Sequence, residues 1–120
     1  MYGVPVNLNL TPLHGAVLTQ IALGEFIVQF RFSGEERREI GVEGAWELRA
    51  DDGSLLDRNL DNARRESYKL HILLGHAVIA SEVRAPKSFL LRFDSGHTLE
   101  IFDDQTRCES FSIQPGDIFV

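Results

Sequence analysis

A single cysteine, Cys108, stands among 120 residues, which excludes an intrachain disulfide, and four scattered histidines cannot complete a Cys/His zinc framework with it. A reducing compartment fits that usage best. Long apolar runs are also missing. No stretch approaches the roughly 18 consecutive apolar residues of a membrane span, and Met1 to Val6 lack the basic start and apolar run of a secretory leader. The expected location is the cytoplasm, with no membrane partner. Positive charge is scarce as well: twelve basic side chains face eighteen acidic ones, for a net charge of −6. Both halves are acidic, with five basic against nine acidic side chains up to residue 60 and seven against nine beyond it. Such a surface repels phosphate, so nucleic acid is not an expected partner. The common signatures of catalysis are absent too, including the nucleophile elbow, the phosphate-binding loop and the dinucleotide glycine fingerprint.

What remains is an ordinary globular mixture, 43% hydrophobic and 25% charged, long enough for one domain with a modest core. Residues 1–13 hold Pro5 and Pro12 and read as an extended lead-in. From Gly15 onward the pattern has period two, the mark of strands with one buried face. Ala16 to Leu23 and Glu25 to Phe32 are expected strands, the latter with Phe26, Val28, Phe30 and Phe32 on its core side. A turn at Ser33 to Glu36 leads to Arg37–Glu43, burying Ile40 and Val42. After an irregularity at Gly44, Trp46 and Leu48 continue to the Asp51-Asp52-Gly53-Ser54 turn.

The period then changes. Leu60, Ala63, Ser67, Leu70 and Leu74 recur at three- and four-residue spacing, with Asp57, Asn59 or Asp61 available as N-cap and Gly75 as the stop, predicting a helix within 57–75. Strands resume from His76 to Ala85, Lys87 to Phe93, His97 to Asp103 and Cys108 to Ile113, and the chain closes on Ile118, Phe119 and Val120. Burial alone suggests a hairpin pairing Leu99 with Ile113 and Ile101 with Phe111, which sets Asp103 opposite Glu109. A faint duplication accompanies this pattern. An offset of 61 lays Val17 on Val78, Phe30 on Leu91, Phe32 on Phe93, Glu39 on Glu100 and Ile40 on Ile101. The predicted fold is mainly β with one helix (α+β): two antiparallel meanders, 14–54 and 76–120, form a sandwich or partly open barrel, with the helix at about 60–74 between them.

Few residues invite chemistry. Asp103, Asp104 and Glu109 form the densest acidic group and are the candidate oxygen ligands for a hard cation, although acidic hairpin tips are common without one. Cys108 as a nucleophile would need a base within reach, and the expected register keeps His97 at the far end of its strand. Trp46 and Tyr68 are the candidate partner-binding residues, because such side chains dominate binding hot spots. Trp46, however, is in phase with Ile40 and Val42, and a lone Trp in that phase belongs to the core more often than to an interface. Neither a catalytic residue nor a cofactor is assigned.

Leu73-Leu74-Gly75-His76-Ala77-Val78, the run from Phe89 to Ile101 through Asp94-Ser95-Gly96-His97, and Cys108-Glu109-Ser110-Phe111-Ser112-Ile113 together resemble small uncharacterised bacterial domains. In these a leucine–glycine helix end precedes a meander that closes on a Glu-Ser-aromatic strand. The resemblance spans roughly residues 13–120, and the family is similar in size and pattern to contact-dependent toxin immunity proteins. It implies a non-catalytic binder that blocks a toxin in the cytoplasm. Such families place Tyr before the Glu-Ser pair where this chain has Cys108, and no functional residue is transferred. The leading expectation is thus a non-enzymatic interaction module whose acidic face meets a basic protein. A small-ligand-binding β domain enclosed by aromatic faces is the alternative, with a metal-dependent enzyme centred on Asp103, Asp104 and Glu109 third. Sheet edges and the apolar C-terminal strand are compatible with a homodimer in each case.

Overall fold

A computed structural model describes residues 4–59, 68–103, 111–114 and 118–119. Two short 3-10 turns, η1 (Thr11–Leu13) and η2 (Leu70–Leu73), each precede a run of strands. The first run is β1 (Val17–Leu23), β2 (Val28–Ser33), β3 (Arg38–Val42), β4 (Trp46–Arg49) and β5 (Leu55–Asn59). The second is β6 (Val78–Arg84), β7 (Ser88–Phe93), β8 (Thr98–Phe102), β9 (Phe111–Gln114) and β10 (Ile118–Phe119). All pairings are antiparallel. One sheet has the order β1-β2-β3-β9-β10 and the other β5-β4-β8-β7-β6.

The predicted α+β class does not hold, because there is no α-helix among the described residues. Asp57 and Asn59, expected as helix caps, lie inside strand β5, where Asn59 sits opposite Trp46. Leu60, Asp61, Ala63 and Ser67 fall outside the described residues. Further on, Leu70 and Leu73 are buried while Leu74 is exposed. A 3-10 turn has three residues per turn, so it aligns i with i+3 rather than i+4. None of the described helices is long and apolar enough to cross a membrane.

The two expected meanders do not form separate layers either. The β4–β5 hairpin of the first half adds to β8 of the second, and β9–β10 of the second half adds to β3 of the first. Ile113 therefore pairs with Ile40 and Phe111 with Val42, and the expected Leu99–Ile113 and Ile101–Phe111 register is wrong. Leu99 and Ile101 are instead flanked by Leu48 and Trp46 on one side and by Leu91 and Phe89 on the other. Burial could not choose between these arrangements, since every strand involved presents an apolar inner face.

The two halves are related by a local two-fold of the backbone whose frame differs from the expected one, with Leu18 rather than Val17 on Val78. Leu10, Leu13, Gly15 and Leu18 correspond to Leu70, Leu73, Gly75 and Val78, and the Gly15/Gly75 and Leu18/Val78 pairs make reciprocal hydrogen bonds across the halves. Gly15 N donates to Val78 O at 2.7 Å and Gly75 N to Leu18 O at 2.8 Å, while Leu18 N donates to His76 O at 3.0 Å and Val78 N to Ala16 O at 2.9 Å. The Val17–Ala77 bridge lies at the centre of this local two-fold and joins the edges of the two sheets. Both first strands carry a bulge immediately afterwards, at Thr19 and Ile79. Phe30 and Phe32 then match Leu91 and Phe93 as the offset predicted. Ile40, however, corresponds to Leu99 rather than Ile101, because the second β-turn is shorter. Gly15 and Gly75 hold φ of 87° and 84°, a left-handed conformation that glycine adopts without a Cβ penalty.

One continuous core joins the two inner faces. Phe30, Phe32, Ile40 and Val42 from one sheet meet Trp46, Leu48, Phe89, Phe93 and Ile101 from the other. Leu10, Leu13, Leu70 and Leu73 from the two 3-10 turns join the same cluster. Burying a large apolar side chain is worth roughly 1.5–3 kcal/mol, so this interior is the main source of stability.

Candidate functional site

The residues singled out from sequence scatter when placed in the fold. Trp46 is 0% exposed at the centre of the core, so it is not a surface for a partner. Tyr68 stacks on it with ring centroids 5.9 Å apart and an interplanar angle of 28°. These two are the only sequence candidates that the described structure brings together, and they meet as packing. Asp103 is half-buried, and its amide donates to Lys87 O at 2.8 Å. Asp104, Cys108 and Glu109 lie outside the described residues. No group of three or more His, Cys, Asp or Glu side chains could hold a metal ion among the described residues. His14, His76 and His97 are engaged with Ser81, Asp94 and Ser95 at 2.8, 2.7 and 2.8 Å.

The outer faces of both sheets carry charge pairs, set by strand register on the first and by two-residue spacing along a strand on the second. On the first sheet Arg31 of β2 lies opposite Glu39 of β3, and its Nε donates to the carboxylate at 2.8 Å. Gln20 and Gln29 accept from the same guanidinium. On the second sheet Arg49 reaches Glu47 at 2.8 Å and Arg84 reaches Glu82 at 2.6 Å. Arg84 also stands 3.6 Å from Glu100, and its guanidinium is held above its ordinary value chiefly by the hydrogen bond to Glu82. Glu100 lies directly across from Glu47, an unfavourable like-charge pair. Although 9% exposed, it is sustained by the Ser88 hydroxyl, which donates to it at 2.6 Å.

A groove of about 370 Å³ lies beside this pair, with Leu90 as its apolar floor and Arg49, Arg84 and Arg92 around it. Its rim is the β4–β5 turn, which comes so close to the β7–β8 turn that a Cβ on Gly96 would stand 2.9 Å from Asp51 Cβ. Within the rim turn Asp52 is held below the usual carboxylate range, first by the Ser54 hydroxyl and then by the Ser54 amide at 2.9 Å. A larger hollow of about 750 Å³ opens over Arg31, Arg37 and Arg38 on the first sheet. Both hollows are open and lined largely by polar side chains. Phe30, Phe32, Phe89 and Phe93 of the aromatic inner faces are buried in the shared core.

One end of the first sheet differs in character. The β1–β2 connection closes through Gly24 N donating to Ile27 O at 2.8 Å, in a turn so tight that a Cβ on Gly24 would meet Ile27 at 3.0 Å. Phe26, expected in the core, sits in this turn at 61% exposure, and Leu23 beside it is 56% exposed. Glu25 shares the turn. Glu43 follows Val42, which pairs with Val28, so it lies at the same end of the sheet. Glu25 and Glu43 are exposed and form no ion pair among the described residues. Sequence reasoning missed this grouping because Phe26 keeps the parity of Phe30. The available signal was the Gly24-Glu25 pair, a turn composition that ends strand alternation.

Searches against protein families, curated proteins and solved structures returned no match to this chain.

Proposed function

We propose that the chain is a non-enzymatic protein-binding module of the immunity type, one that covers a basic surface on another protein. The observation that carries this reading is the distribution of charge. Arg31, Arg38, Arg49 and Arg84 are each neutralised in place by a glutamate. With a net charge of −6, the surplus carboxylates stay displayed. Opposite charge on a partner would steer the encounter and raise the association rate, and salt would screen that advantage. Glu25 and Glu43 beside exposed Phe26 and Leu23 supply the mixture of apolar anchor and charged rim that protein interfaces use.

The test is capture of a partner on the immobilised chain from the source cell's lysate, followed by association kinetics with the purified partner at low and high salt. A basic protein whose association slows by about tenfold or more in high salt is the expected result. Association at the same rate in both would overturn the reading.

A further inference from the structure

We propose that the β1–β2 turn, with Leu23 and Phe26 between Glu25 and Glu43, is the docking surface for a segment of another protein that presents an apolar side chain next to lysine or arginine. The inference rests on the protein-binding reading above and locates its contact. Its first support is the local two-fold of the fold. The counterpart of this turn is the β6–β7 turn, and there the chain's own N-terminal segment docks on the backbone: Val4 N donates to Pro86 O at 2.8 Å and Val4, 2% exposed, joins the core, while Arg84, Pro86 and Lys87 stay exposed. Asp103 N takes the neighbouring carbonyl of Lys87, also at 2.8 Å. That end of the second sheet is therefore hydrogen-bonded by a short non-helical segment that brings one apolar residue. At the matching end of the first sheet, no described segment does the same for Phe26 and Leu23.

The second support is charge. The β6–β7 turn carries Arg84 and Lys87, whereas the β1–β2 end has Glu25 and Glu43 without a cationic partner among the described residues. An incoming chain that buries its apolar residue against Phe26 places its flanking residues beside these two carboxylates. Basic residues gain there, and acidic ones meet like charge. The tight Gly24–Ile27 closure holds Phe26 outward before any partner arrives, which lowers the ordering cost of binding.

The experiment uses the full chain, labelled for amide NMR, titrated with a heptapeptide of alternating lysine and leucine and separately with its glutamate–leucine counterpart. The expected result is shift changes centred on Gly24, Phe26 and Glu43, with the basic peptide binding at least about tenfold more tightly than the acidic one. Phe26→Ser and, independently, Glu25→Lys combined with Glu43→Lys should each weaken the basic peptide by about tenfold. Both alter exposed residues, so a one-dimensional spectrum that matches wild type will confirm that each variant is folded. Shifts centred on the Arg49 and Arg92 groove, equal binding of the two peptides, or a wild-type dimer that Phe26→Ser abolishes would each overturn the proposal, the last by identifying a second copy as the occupant. A lysate partner that binds Phe26→Ser as well as wild type, with its salt dependence intact, removes this docking site and leaves the protein-binding reading standing. Peptide binding at the turn without any salt-sensitive protein partner removes the broader reading instead.

Discussion

The two halves of the chain agree closely where they touch and differ where they face outward. Around the Val17–Ala77 bridge the hydrogen bonds of Gly15 and Gly75 and those of Leu18 and Val78 form two reciprocal pairs, and Gly15 and Gly75 share the same left-handed backbone. At their hairpin ends one half carries Phe26, Glu25 and Glu43 in the open, while the other receives a backbone hydrogen bond from Val4. Shared interior geometry fixes the backbone of both halves. The exterior is under no such constraint, so differences there are where specific function is expected.

Truncation in the shared interior should have the largest effect. Phe32→Ala and Phe93→Ala remove equivalent fully packed rings, and each should cost about 3–5 kcal/mol in denaturant unfolding. Because the exchanged hairpins tie the sheets together, both variants should keep a single transition. Two resolved transitions would show that the halves are independent. Next come the turn glycines. Gly96→Ala combines φ of 92° with a 2.9 Å approach to Asp51 and should cost about 2–3 kcal/mol, whereas Gly75→Ala, with open space around it, should cost only about 1–2 kcal/mol. Equal losses would mean that the β4–β5 turn simply moves aside.

A third comparison sets the outer faces against each other. Ser88→Ala takes the hydroxyl from a carboxylate that is nearly buried and should cost about 1–3 kcal/mol by thermal or chemical denaturation. Arg31→Ala, in the half-exposed pair with Glu39, should stay below about 1 kcal/mol. The smallest effect belongs to Phe26→Ser, within about 0.5 kcal/mol of wild type, since the ring is largely in water already. A marked loss there would show that Phe26 has a packing role.

Individual strands were legible in the sequence because alternation is local. The run Val28-Gln29-Phe30-Arg31-Phe32 can bury one face only, and it forms β2 as the pattern requires. Which strands pair was much less legible. Ile113 suits Leu99 and Ile40 equally by burial, and the choice depends on where a distant hairpin lands. The helix expectation failed for a related reason. Three- and four-residue spacing of leucines also arises where a 3-10 turn follows a strand, and the sharp stop at Gly75 serves both structures. Of the candidate site, Trp46 was legible as core from its alternation with Leu48, while its aromatic character alone pointed to an interface. Glu25 and Glu43 are far apart in sequence and become neighbours only through the β2–β3 register, which no local pattern encodes.

The exchanged hairpins also affect how the molecule responds to a cut. Strands β4 and β5 belong by sequence to the first half but are held by β8, while β9 and β10 belong to the second half and are held by β3. A protease that severed the chain anywhere between residues 59 and 68 would break a covalent link without freeing either fragment, since each grips two strands of the other. Such a nicked protein would run as two bands on a denaturing gel while remaining a single species in solution.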